Sequence, residues 1–399
     1  MVLDALGAPD ARLGAIVHVA GTNGKGSTAR FVEAMARAAG LHTALTTSPH
    51  LARLTERIEL DGVEVDAEAL GVRYAALLAR APSLAALTFF EQVTVLAFDA
   101  IAAAAPDVTV IEVGLGGRLD ATNVVDPRVA IVTGVALDHQ AVLGGTLAEI
   151  AGEKAGIWKR GRAAVVGVAG EEEAVPGLVR AAEVAGASEI VRVRGDEADA
   201  AHVLGLAGAH QRGNAAAAWT ALDALARAGG PVVDEGARVA GLAAARWPGR
   251  LETIGDVTFD AAHNPAAAAA LARGLDGEVV IVVGVAADKD VRGVLRALAP
   301  RARAIVATQA AGPRALAADA LAAIAREAAP GRVVVAEAEL DRAMVTARTL
   351  AGPGGRVVVT GSFLVVGPLR ARLRGEPEDP LTVSDPVPVS DPAYEPPRL

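Results

Sequence analysis

The sequence predicts two α/β domains, each built on a mostly parallel sheet, and three observations carry that reading. Short, nearly uniform apolar runs, as strands buried on both faces require, alternate with Ala-rich helical stretches along most of the chain. The first such run, Ala15 to Ala20, meets a Gly-rich turn holding one lysine, Gly21 to Ser27, and then a helical stretch toward Gly40. Strand, phosphate-binding turn and helix are the opening unit of a P-loop ATPase-like domain. A polar, Gly/Pro-bearing interruption, Gly229 to Val239 and then Arg246-Trp247-Pro248-Gly249-Arg250, precedes a second alternating series. The expected organisation is a nucleoside-triphosphate-binding N-terminal domain over 1–245 and a doubly wound, Rossmann-like C-terminal domain over 246–375. A tail rich in Pro, Asp and Ser over 376–399 is expected to be disordered.

The 399 residues leave room for a generous core in both units. With 38 Lys and Arg against 47 Asp and Glu, the net charge of −9 argues against nucleic acid as a partner of the surface as a whole. Cysteine is absent, which excludes disulfides, thiolate metal sites and a thiol nucleophile, and fits the cytoplasm. The N-terminus, interrupted by Asp4 and Asp10, lacks the basic and apolar regions of a signal peptide. Its most apolar helical run, Val93 to Ala105, contains Asp99 and falls short of the roughly 20 residues a membrane span needs. The expectation is a soluble, cytoplasmic monomer.

The phosphate turn departs from the strict G-x-x-x-x-G-K-[ST] pattern, because Val19 stands at the first glycine and Gly26 follows Lys25. Glycines let backbone N–H groups converge on phosphate oxygens and Lys25 adds a full charge. The usual metal-binding hydroxyl is displaced, either to Ser27 or to another element. His42 to Thr47 reads as the second strand and ends in Thr47-Ser48-Pro49-His50, so Ser48 is a candidate, although an ordinary turn before Pro49 is an equal reading. Glu56 to Val65 alternates about Asp61-Gly62 as a hairpin, and Asp66 caps a helix to about Arg80. Thr88 precedes a helix with Phe89-Phe90-Glu91-Gln92 in its first turn; the two aromatics serve either core packing or a flat-ring pocket.

Val108 to Val113 has the uniform apolar character of a central parallel strand, and the carboxylate of Glu112 inside it requires a partner or a metal. Val129 to Val135 repeats the pattern and leads to Asp138-His139. Thr146 with Glu149 forms a capping box ahead of Glu153-Lys154-Ala155-Gly156. If the three strands are parallel neighbours, Ser48, Glu112 and His139 face one crevice as a possible Mg²⁺ ligand set. Arg160 to Leu206 gives only βα-like fragments, and the helix from about His210 to Ala228 carries Asn214 near its start, as a cap or as an adenine contact. In the second domain, strands are expected at Val257–Asp260, Val279–Val283, Ala304–Ala307, Val333–Ala336 and Val357–Thr360. Helices are expected at Pro265–Gly274, Val291–Leu298, Pro313–Ala328 and Leu340–Leu350. Asp260-Ala261-Ala262-His263-Asn264-Pro265 lies at its first strand-to-helix turn, where polar groups would face the other domain.

These residues, in collinear order over nearly the whole chain, resemble the folylpolyglutamate synthase and dihydrofolate synthase branch of the Mur ligases. The matching motifs are GTNGKGS at 21–27, TSPH at 47–50, ERI at 56–58, FFEQVT at 89–94, EVGLGGRLDATN at 112–123, DH at 138–139 and EKAG at 153–156. HQRGNA at 210–215, WPGR at 247–250, AHNP at 262–265, DKD at 288–290 and GS at 361–362 follow. The resemblance implies an ATP-dependent amide ligase, in which a substrate carboxylate becomes an acyl phosphate that L-glutamate attacks. The acceptor would be tetrahydrofolate, its polyglutamates or dihydropteroate. It implies that Thr22, Asn23, Gly24, Lys25, Gly26 and Ser27, with Asn214, Arg250, Asp260 and His263, hold ATP. Ser48, Glu112 and His139 would hold Mg²⁺, and Lys154 would be carbamylated and bridge to a second Mg²⁺. Catalysis would rest on Lys25, His139 and Lys154, and Thr88, Phe89, Phe90, Glu91 and Leu119 would form the pterin pocket. Two departures accompany the match: few residues precede the first strand, with Leu3 to Leu13 matching only the end of a helical stretch, and Arg160 to His210 is short, which leaves the outer sheet in question. Another Mur-type ligase, or a nucleotide-binding protein without ligase chemistry, are the alternative readings.

Overall fold

The computed structural model describes residues 2–379. The first part of the chain runs α1 (Val2–Ala5), β1 (Ala15–Ala20), α2 (Lys25–Ala38), β2 (Thr43–Thr46), β3 (Ile58–Leu60), β4 (Val63–Glu64), α3 (Ala67–Arg80), α4 (Phe89–Ala104), β5 (Val108–Glu112) and β6 (Val129–Val132). It continues with α5 (Gln140–Leu143), α6 (Leu147–Ala155), β7 (Ala163–Val166), α7 (Val175–Ala185), β8 (Glu189–Arg192), α8 (Gln211–Arg227) and α9 (Glu235–Ala244). Its eight strands form one sheet in the order β4-β3-β2-β5-β1-β6-β7-β8, parallel from β2 to β8, with β3 and β4 an antiparallel excursion. Side chains alternate along β1 as the two-residue period demands: Val17 and Val19 pack under α2, α8 and α9, while Ile16 and Ala20 enter cores on the other face. β7 and β8 complete the outer sheet that the short 160–210 segment left in question, each pairing in parallel with its inner neighbour through four residues.

The second part comprises β9 (Glu252–Ile254), β10 (Val257–Phe259), α10 (Pro265–Gly274), β11 (Val279–Val283), α11 (Val291–Leu298), β12 (Ala302–Ala307), α12 (Ala318–Ala328), β13 (Val333–Ala336), α13 (Leu340–Ala351), β14 (Val357–Thr360) and α14 (Phe363–Arg374). The sheet order is β13-β12-β11-β14-β10-β9, parallel except for the β9–β10 hairpin. Cores lie on both faces, α10 to α12 on one and α13 with α14 on the other.

The structure corrects three readings of the sequence. The polar stretch from Gly229 is only partly a connection: Asp234 accepts from Ala237 N and caps α9, which packs on α2. Its alanines and glycines are contact residues for a close helix–helix approach rather than linker composition. The expected helix from Pro313 begins only at Ala318, since 310–317 is irregular. The expected disordered tail begins with four ordered residues: Asp379 N donates to Ala52 O at 2.8 Å and Asp379 Oδ2 accepts from Leu54 N at 2.7 Å. The rest of that expectation, 380–399, lies outside the described residues.

A charged network crosses the packing of α2 on the sheet. Arg30, buried, donates to Glu33 at 3.0 Å and also pairs with Glu59, while Glu33 accepts from Thr43 Oγ1 at 3.0 Å and Arg37 at 2.8 Å. Removing one member of such a set strands a buried opposite charge. Arg30→Met is therefore expected to destabilise the N-terminal part by about 3–5 kcal/mol in urea unfolding. Arg37→Met, at the exposed end, should cost no more than about 1 kcal/mol.

Candidate active site

The cleft between the two sheets is built by strand ends. β1, β2, β5 and β6 run parallel, so their C-terminal ends open on one edge, where an α/β sheet places ligands. A cavity of about 710 Å³ lies there, walled by the phosphate turn, by Ser48, Glu112, His139 and Lys154, and by Arg250, Asp260 and His263 of the second part.

In the phosphate turn, Gly24 takes φ 85° just before α2, and Lys25 is the first helical residue. Gly26, where the strict pattern has a hydroxyl, is held to glycine by a close neighbour: a Cβ there would lie 2.9 Å from Trp247 Nε1. Trp247 also receives the Arg30 guanidinium over its ring at 4.8 Å. Ser27 Oγ accepts from Gln211 Nε2 at 3.3 Å, and Gln211 Oε1 accepts from Asn214 Nδ2 at 2.8 Å. Asn214 Oδ1, aimed at Gly24, finds no hydrogen-bond partner among the described residues. Thr22 Oγ1 bridges to Ala136, and Asn23 Oδ1 accepts from Asn264 Nδ2 at 3.0 Å across the cleft.

Ser48 and Glu112 touch: Glu112 Oε2 accepts from Ser48 N at 3.2 Å. Burial pushes the Glu112 carboxyl up, against the opposing charge of Lys25. Ser48 Oγ is buried and finds no hydrogen-bond partner among the described residues. A buried carboxylate beside an orphaned hydroxyl is an all-oxygen pair that suits Mg²⁺. The other two expected ligands take different partners. Lys154 Nζ donates to Gly21 O at 3.1 Å; burial and then the charge of Lys25 lower its pKa to about 7. His139 is lowered to about 4 by burial and the charge of Lys289, so its imidazole is neutral at pH 7 and Nε2 accepts from Lys289 Nζ at 2.9 Å.

Lys289, from the loop before α11, is the functional group that the sequence reading left inside the DKD motif without a role. Its Nζ lies 2.7 Å from Asp138 Oδ1, and Asn264 Nδ2 donates to Asp138 Oδ2 at 3.0 Å. Burial alone would raise the Asp138 carboxyl; the His263 imidazole, with Nε2 3.7 Å from Asp138 Oδ2, and the charge of Lys289 overcome it and hold it well below the carboxylate range. Asp138 thereby joins the two halves. The DH, AHNP and DKD motifs were the available signal, but their positions along the chain do not record that they meet.

The groups of the second part that were expected at the nucleotide are mutually braced. Asp260, raised by burial against the charge of Arg250, accepts from Leu251 N and Ala262 N at 2.9 and 3.0 Å. Arg250 stacks over Phe363 at 5.2 Å, and the His263 ring centre lies 5.9 Å from that of Phe363. The expected substrate set divides. Phe90 lines the cleft, whereas Thr88 and Glu91 spend their polar atoms on the capping box of α4 and Phe89 lies 5.5 Å under Arg57. Leu119 is exposed and outside the cavity wall.

Comparison with known proteins follows the same division. Residues 19–200 match the Mur ligase middle domain and residues 249–363 the Mur ligase glutamate ligase domain. A probable bifunctional folylpolyglutamate synthase/dihydropteroate synthase of Haloferax volcanii is 38% identical over 389 residues, 89% of this chain and 45% of that protein, so the chain spans about half its length. The dihydrofolate synthase/folylpolyglutamate synthase of Mycobacterium tuberculosis is 38% identical over 361 residues, 78% of this chain and 74% of that protein. The crystal structure of the M. tuberculosis folylpolyglutamate synthase with ADP and AMPPCP superposes with a TM-score of 0.84 at 36% identity, covering 94% of this chain and 95% of that one. A bifunctional folylpolyglutamate synthase/dihydrofolate synthase with Mn, AMPPNP and L-glutamate bound gives 0.79 at 32% identity, over 94% and 92% of the two chains. The chain belongs to the folylpolyglutamate synthase/dihydrofolate synthase family of ATP-dependent ligases, built on the Mur ligase fold.

Proposed function

We propose that this chain joins L-glutamate to tetrahydrofolate, to its polyglutamates or to dihydropteroate, at the expense of ATP and through an acyl phosphate. The observation that carries the reading is a single cleft in which a phosphate turn, a Ser48–Glu112 oxygen pair and a buried, easily deprotonated Lys154 face the braced Arg250 and His263 of a second domain. A nucleotide switch needs the turn but has no use for the opposing wall. The relatives with bound nucleotide, manganese and glutamate support the same substrates.

Chemically, phosphoryl transfer to a carboxylate brings anions together, and the protein's task is to position and neutralise them. Lys25 and the N–H groups at the start of α2 hold the triphosphate, with Thr22, Asn23 and Ser27 shaping the turn and Asn214 offering an unspent amide oxygen. Arg250, Asp260 and His263 close on the nucleotide from the other side. Ser48, Glu112 and His139 would hold one Mg²⁺ and a carbamylated Lys154 would bridge to a second, and such ions would neutralise phosphate oxygens. Lys154 reaches the same role by modification: its neutral amine attacks CO₂, a C–N bond forms and one proton leaves to solvent. A cation that repels Mg²⁺ becomes an anionic ligand. Phe90 offers the acceptor a flat apolar face. The cleft draws all these groups from one chain, in keeping with a monomer. No helix among the described residues is long and apolar enough to cross a membrane, and the cytoplasm is the compartment that fits ATP and folate substrates.

Phosphate release from ATP is expected to require both L-glutamate and one of the two acceptors, dihydropteroate or tetrahydrofolate, assayed side by side. Absence of release with either acceptor would leave a nucleotide-binding protein without ligase chemistry. Lys154→Ala should lower turnover by at least about 100-fold, as for loss of one preorganised charge stabiliser, with partial rescue by short carboxylic acids; full activity of the variant would refute the carbamate. Because only the neutral amine takes up CO₂, and the pKa near 7 leaves mostly ammonium below it, reactivation of CO₂-stripped enzyme at fixed dissolved CO₂ should rise about tenfold from pH 6 to pH 8.

A further inference from the structure

The loop that carries Ser48 has little regular structure of its own between β2 and β3, apart from one short 3₁₀ turn at Leu54–Arg57. Part of its order is internal: the Glu56 carboxylate accepts from Leu51 N, Ala52 N and Arg53 N at 2.6, 3.1 and 2.9 Å. The remainder comes from the far end of the chain. Leu51 packs into the core of the second domain, and on α14 a Cβ at Gly367 would lie 1.8 Å from Leu51 O, so the helix presents a glycine where the loop backbone crosses it. Beyond α14, Asp379 clasps the loop by two hydrogen bonds, to Leu54 N and Ala52 O. Glu376 stands between Arg53 at 3.4 Å and Arg370 at 2.8 Å, and Arg370 in turn makes a two-pronged pair with Glu252 beside the interdomain connection.

We propose that the segment from Gly367 to Asp379 is a strap from the second domain that sets the position of Ser48, and that Glu376 and Asp379 are positioning residues for the cation site although they lie outside the cleft. The inference rests on the reading of Ser48 and Glu112 as cation ligands. The side chains that meet Glu376, Arg53 and Arg370, are 22% and 9% exposed, so these pairs are only partly screened by solvent. These pairs act on a loop with one functional hydroxyl at its head, where a shift of about 1 Å is enough to lose a ligand. The strap also ties that hydroxyl to the orientation of the second domain, so the cation site is complete only when the two domains are in register.

The test compares the full chain with Glu376→Gln/Asp379→Ala, with Ser48→Ala and with Arg348→Gln, which removes a surface ion pair to Asp256 away from the strap. Mn²⁺ binding in the presence of AMPPNP is followed by electron paramagnetic resonance, and tryptic cleavage after Arg53 by mass spectrometry. The double variant is expected to weaken Mn²⁺ about tenfold, the loss typical when groups that orient metal ligands are removed. It should also be cut faster after Arg53, with an unchanged melting temperature and unchanged metal-free nucleotide binding. Arg348→Gln should match the unsubstituted chain in both measurements. Unchanged Mn²⁺ affinity in the double variant overturns the strap. If Ser48→Ala weakens Mn²⁺ in that case, the cation reading stands and only the strap has failed; if Ser48→Ala is also without effect, the failure lies in the cation reading itself.

Discussion

Asp138 is the group on which the relation of the two domains depends. It is a buried carboxylate at the cleft edge of the first domain, and it is met by Lys289 and Asn264 from the second. A buried charge without a partner costs several kcal/mol, and in this arrangement Lys289 and Asn264 supply both partners at once. His139 is drawn into the same knot through Lys289. The cleft thus carries its own cation at the place where a histidine would otherwise be free to bind a metal, and any ion that reaches His139 Nε2 must compete with an ammonium group for it.

The phosphate turn is tied to the same interdomain geometry by a different route. Gly26 is glycine because the Trp247 indole lies against it, and Trp247 belongs to the connection between domains. A hydroxyl-bearing side chain in the usual place would collide with that ring. Giving up the hydroxyl after the lysine lets the connection pack directly on the turn before α2, while the buried hydroxyl of Ser48 stands in the cleft wall beyond the end of β2, on the far side of β5 from β1. Arg30, stacked on the same indole and paired below with Glu33, extends the contact into the core of the first domain. Nucleotide turn, connection and buried charge network form one continuous packing unit.

Much of the fold was legible because its determinants are local. The apolar runs at Ala15, Val108 and Val129 marked buried parallel strands by composition alone, and Thr88 with Glu91 and Thr146 with Glu149 marked helix starts by a spacing of three. α9 was missed because its first residues follow a Gly/Pro stretch, and small residues read alike as linker and as close helix contact. The sequence named Thr88 and Glu91 together with Phe90, and only the structure shows that the first two cap a helix while Phe90 lines the cleft, since a motif does not say which of its members do which.

By itself, then, the sequence determined the two alternating series, the phosphate turn and the candidate charges at the strand ends, because periodicity, caps and turns are encoded between neighbours. Only the tertiary structure decided who meets whom: Lys289 with Asp138, Trp247 with Gly26, Asp379 with the loop behind Ser48. Those partners lie far apart along the chain, and no local spacing records them. Their meeting follows from the packing of two sheets and their helices, which brings groups distant along the chain within reach of one another.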